Sequence, residues 1–101
     1  MSNTEKETLN IDSSFLNLVT MLASSVWCYL GKMPNSVSSK TDIDLQNAKV
    51  TIDILLMFRT KTIGNLTKKE EEILNSTISN LQINYAEEVA KSKLSTEKNL
   101  K

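Results

Sequence analysis

Ser13-Ser14-Phe15-Leu16-Asn17-Leu18-Val19-Thr20-Met21-Leu22-Ala23-Ser24-Ser25-Val26-Trp27-Cys28-Tyr29-Leu30-Gly31 contains no charged residue, although Asp, Glu, Lys and Arg make up 24% of this 101-residue chain. Twelve of its nineteen positions are apolar. A neutral run of this kind has to be hidden from water, and its ends carry helix signals. Asp12 or Ser13 suits the N-cap and Gly31 the C-terminal stop. At about 100° per residue, Phe15, Leu18, Leu22, Val26 and Tyr29 join Leu16, Val19, Ala23, Trp27 and Leu30 in an arc. That arc covers about half the circumference, wider than the stripe of an ordinary surface helix. Even the opposite side is uncharged, so the helix is expected to be enclosed on most sides.

Two more helices follow on the same reasoning. Pro34 interrupts the chain after Gly31. A second helix is expected from about Thr41, with Asp44 completing a capping-box pattern, to about Thr62, with Gly64 suited to a left-handed cap. It has two apolar faces. One is Leu45, Ala48, Ile52, Leu55, Leu56 and Ile63; Ile43, Val50, Ile54 and Met57 lie nearly opposite. A third helix opens at Thr67-Lys68-Lys69-Glu70, a reciprocal capping box. It presents Leu74, Ile78, Leu81, Tyr85 and Val89 on one face, leaving Ile73 and Ile83 outside it. Past Ala90 the apolar period is lost.

These readings give an all-α chain: a disordered N-terminal arm over 1–11, a three-helix domain over 12–90 and a charged flexible tail over 91–101. No strand-like alternation or internal repeat competes with them.

Ile52-Asp53-Ile54-Leu55-Leu56-Met57, then Lys61-Thr62-Ile63-Gly64-Asn65-Leu66-Thr67 and Glu70-Glu71, resemble a small bacterial family known as domain of unknown function 1844. Leu30-Gly31 and Pro34 echo the end of that family's upstream helix. The resemblance covers roughly Phe15 to Tyr85, and the turn before the third helix is its most specific part. It implies a small helical protein and brings no activity with it.

The composition argues against catalysis. Histidine is absent, and the single cysteine, Cys28, has neither a histidine nor a second thiol to work with. Glu70, Glu71 and Glu72 diverge by about 100° per step, so their expected role is to complement the helix dipole rather than to hold an ion. No catalytic, cofactor-binding or metal-ligating residue is assigned. The single thiol and the absence of a positive n-region before the apolar run point to the cytoplasm. Helix one is too short and too interrupted by Asn17, Thr20, Ser24 and Ser25 to span a bilayer, so no membrane role is expected.

What remains is binding. A three-helix unit has difficulty covering both faces of helix two and the broad arc of helix one together. The expectation is therefore a helical-bundle homo-oligomer, a dimer in its simplest form, that also binds an unidentified protein. Phe15, Leu18, Leu22, Val26, Trp27 and Tyr29 are the expected pairing surface. The turn with Arg59, Lys61, Asn65, Thr67, Lys68 and Lys69 is the expected external contact. A second reading makes those same basic residues an anion or RNA site at the opening of helix three. It ranks lower because twelve basic and twelve acidic residues cancel, and no aromatic residues interleave the lysines.

Overall fold

A computed structural model describes residues 11–33 and 43–99, positions 95–99 by backbone alone. The N-terminal arm up to Asn10, positions 34–42 with the expected Thr41 cap, and the last two residues of the expected tail lie outside them. Three helices account for most of the described chain: α1 Ser13–Tyr29, α2 Leu45–Lys61 and α3 Lys68–Asn99. No strand occurs among the described residues.

Local chemistry sets the helix ends. Asp12 caps α1 by accepting hydrogen bonds from the Ser14 and Phe15 N–H groups at 2.8 and 3.2 Å. The other end of α1 closes in a Schellman arrangement. Lys32 N–H donates to the Trp27 carbonyl and Gly31 N–H to that of Cys28. Gly31 takes φ 76°, the left-handed conformation the motif demands.

Helix α2 starts later than expected. Asp44 is itself the N-cap, accepting from the Asn47 N–H at 3.1 Å, rather than the third residue of a box begun by Thr41. Asp44 is held in place for this role, its own N–H fixed by the Tyr29 carbonyl at 2.7 Å. The far end also differs. Thr62 is the C-cap, its N–H and hydroxyl both donating to the Phe58 carbonyl. Gly64, at φ 84°, instead occupies the third position of the Thr62–Asn65 turn, which is closed by Asn65 N–H to Thr62 carbonyl at 2.9 Å.

The reciprocal box at Thr67 forms as read. Glu70 N–H donates to the Thr67 hydroxyl at 3.2 Å, and Thr67 N–H donates to Glu70 Oε1 at 2.8 Å. Helix α3 does not stop at Ala90; its backbone stays helical to Asn99. Lys91, Lys93, Leu94, Glu97 and Lys98 are good helix formers, and no glycine or proline breaks them. Loss of apolar period ends a buried stripe without ending a helix.

Helices α1 and α2 run antiparallel. The Phe15 and Phe58 rings stack at 5.6 Å, and fourteen residues further along each helix, in opposite directions, Tyr29 meets Asp44. The start of α1 bonds to the start of α3 and its end to Glu88, so α1 and α3 run parallel. Val19, Val26 and Leu30 from α1 and its cap, Ala48, Ile52 and Leu55 from α2, and Leu74, Ile78 and Leu81 from α3 form the core. Thr51 joins its edge with the hydroxyl donated to the Asn47 carbonyl. No buried side-chain nitrogen or oxygen among the described residues lacks a partner, as expected of a well-packed unit.

Candidate functional site

The basic turn was one expected contact, and its residues do not converge. Arg59 is half-buried and donates from Nη1 to Asn75 Oδ1 at 3.3 Å. With Asn75, Glu71, Ile63 and Leu66 it lines a cleft of about 250 Å³, below the roughly 300–1,000 Å³ usual for small-molecule sites. Lys61, Asn65, Lys68 and Lys69 are exposed outside that cleft, while Thr67 is half-buried as the helix cap. Glu71 also brings a carboxylate to the cleft wall, which disfavours an anion there.

The opening of α3 already holds a carboxylate, that of Glu70. While Oε1 accepts from Thr67, Oε2 accepts the Asp12 N–H at 2.8 Å. These backbone donors, Asp12 first, hold the Glu70 carboxyl below its ordinary pKa. One buried side chain thus caps its own helix and anchors the start of α1. The sequence placed Glu70 in the capping box; its second bond lies 58 residues away in the chain.

Five turns along α3 the same face carries Glu88, which sequence reasoning missed. It is buried, and its Oε2 lies 3.1 Å from both Lys32 Nζ and Lys91 Nζ. Hydrogen bonds from Lys32 and then Lys91 lower its pKa, outweighing the opposing effect of desolvation. The buried stripe of α3 therefore begins and ends in a glutamate, and each grips one end of α1.

The six residues expected to pair α1 with a second copy are largely used within one chain. Val26 is 0% exposed in the core, so it is not available as a pairing residue. Phe15 stacks on Phe58, and Leu22, Trp27 and Tyr29 are partly buried against the same core. Leu18, 41% exposed, is the one of the six on the surface, one turn before exposed Met21. The wide arc of α1 faces two neighbouring helices, which accounts for its width.

The larger exposed apolar surface lies on α2. Val50, Ile54 and Met57 follow one another at four- and three-residue steps, and all are 40–50% exposed. They lie opposite the buried Ala48, Ile52 and Leu55. Cys28 is half-buried. No group of three or more Cys, Asp or Glu among the described residues is placed to hold a metal ion. No helix among the described residues is long and apolar enough to cross a membrane.

Fold and surface together define a small three-helix unit that buries one face of α2 and displays the other. The family model described as "Domain of unknown function (DUF1844)" matches residues 12–87, and the chain belongs to that family. The matched span runs from the Asp12 cap to the residue before Glu88, so it takes in all of α1 and α2 and the core stripe of α3. No curated protein matches the chain, and neither does any solved structure.

Proposed function

We propose that this protein is a non-catalytic helical module that works by associating with itself and with another protein. The observation that carries the reading is the apolar row on the outer side of α2. Its three large side chains, Val50, Ile54 and Met57, stand in water on a helix whose opposite face already fills the core. Scattered exposed apolar residues need no explanation, but a row at helical spacing along one face is the pattern that helix-binding surfaces use.

The basic turn supports an anion-binding reading less well. Its lysines are exposed and line no cleft with Arg59, and the helix opening beside them is filled by Glu70. Binding of RNA that weakens steeply with salt and disappears on changing Lys68 and Lys69 to Ala would reverse that ranking.

The test of self-association is solution mass by light scattering behind a sizing column, over a wide range of protein concentration. A mass rising to twice the 11.3 kDa of one chain supports the reading. A mass fixed at that of one chain at every concentration refutes it.

A further inference from the structure

Apart from Lys61 in line at its C-terminal end, the outer face of α2 has charge on one flank only. Viewed along the Val50, Ile54 and Met57 row, Gln46, Lys49, Asp53 and Thr60 border one side, and Asn47, Thr51 and Phe58 the other. Lys49 and Asp53 stand one turn apart, 2.9 Å from each other, with side chains 62% and 54% exposed.

We propose that α2 pairs antiparallel with α2 of a second copy of this chain, with Lys49 of each copy set against Asp53 of the other. The proposal rests on the self-association reading and fixes the surface and the orientation that it uses. The argument is one of symmetry. A two-fold axis relating antiparallel helices brings the same flank of both to the same side, in reversed order. A lysine four residues before an aspartate on that flank then meets the other copy's aspartate, and the reverse contact comes with it. Parallel pairing would instead set the charged flank against the uncharged side of Asn47, where Lys49 and Asp53 keep only the pairing they already make within one helix.

The apolar row fits the same arrangement. With the axis between Thr51 and Ile52, Val50 lies within about 1.5 Å of level with Ile54 of the second copy, and Lys49 equally close to level with its Asp53. Seventeen residues of α2 give a contact up to about 25 Å long. A chain with twelve positive and twelve negative residues meets little long-range repulsion from its own copy. On α1, Leu18 and Met21 are flanked by Asn17, Ser14 and Ser25, with no charge to select an orientation.

The test compares dimer dissociation constants from sedimentation velocity, with helicity followed by circular dichroism. The variants are Ile54→Glu, Lys49→Asp, Asp53→Lys and the double exchange Lys49→Asp with Asp53→Lys. The wild type is expected to dimerise and Ile54→Glu to stay monomeric with full helicity. Each single reversal weakens pairing about tenfold, because symmetry repeats the change twice, and the double exchange restores it. If Ile54→Glu loses helicity, the three charge variants carry the test alone.

A wild-type dimer indifferent to all four variants but broken by Leu18→Glu would overturn α2 pairing and leave self-association standing. Single reversals that weaken the dimer without recovery in the double exchange would overturn the antiparallel orientation. A wild type that is monomeric throughout would remove both this inference and the reading beneath it.

Discussion

Ile78 and Ile83 share one helix and one chemistry but differ in surroundings: Ile78 is 0% exposed and Ile83 is 58% exposed. Replacing each with Ala removes the same three carbons. At Ile78 their transfer to water is worth about 0.8 kcal/mol per carbon, or about 2.4 kcal/mol. A residual cavity of about 50 Å³ would add about 1.2 kcal/mol. The loss of about 3.6 kcal/mol is a large part of the roughly 5–15 kcal/mol that holds such a domain together. Thermal unfolding followed by circular dichroism should show Tm lower by about 15–25 °C. At Ile83 little apolar burial is lost and Ala is the better helix former, so Tm should move by no more than a few degrees. Equal losses at the two positions, or a loss below about 1 kcal/mol at Ile78, would refute the rotation of α3 described above, and with it the assignment of inner and outer faces.

Acid should weaken the fold through Glu70 and Glu88. Both carboxyls lie below their ordinary value of 4.5 in the folded chain, so their stabilisation is complete above that pH. It is lost as pH falls from there through the lowered pKa values. Urea midpoints between pH 6 and 3 should drop over that window, and Glu88→Gln should flatten the drop while lowering the neutral plateau. Thr67→Ala removes the hydroxyl that accepts the Glu70 N–H and should cost about 1 kcal/mol in a urea titration. Thr67→Ser should recover most of it, and a Ser variant as weak as Ala would argue against the capping bond.

The features legible in the sequence are those whose physics is local. Asp12, Gly31 and the Thr67–Glu70 box act within a few residues of themselves, so spacing alone reveals them. The stripe Leu74, Ile78, Leu81 and Tyr85 was legible for the same reason. Where two local signals competed, as with Thr41 and Asp44, the bond from Asp44 N–H to the Tyr29 carbonyl favoured the second, and that contact is a tertiary one. Glu88 has a local partner in Lys91, but the bond that ties it to α1 comes from Lys32, 56 residues away, and spacing does not reveal that one. The arc of α1 posed a different difficulty. Periodicity reports which side of a helix is apolar, but it does not say whether the cover comes from the same chain or from another. Val26 and Trp27 turned out to be covered from within, while the row on α2 has no covering helix among the described residues.

The two glutamates of α3 also bear on the order in which the molecule can be completed. Of the three helices α1 is made first, yet its opening N–H at Asp12 is answered by Glu70, and Lys32 at its far end by Glu88. Neither grip can close until nearly the whole domain has been made. The hairpin of α2 and α3, joined by a short turn, needs no such wait, and contacts close in sequence form sooner than distant ones. The helix that is synthesised first can lie on α2 as soon as both exist, but its two ends are fastened only when the last helix is complete.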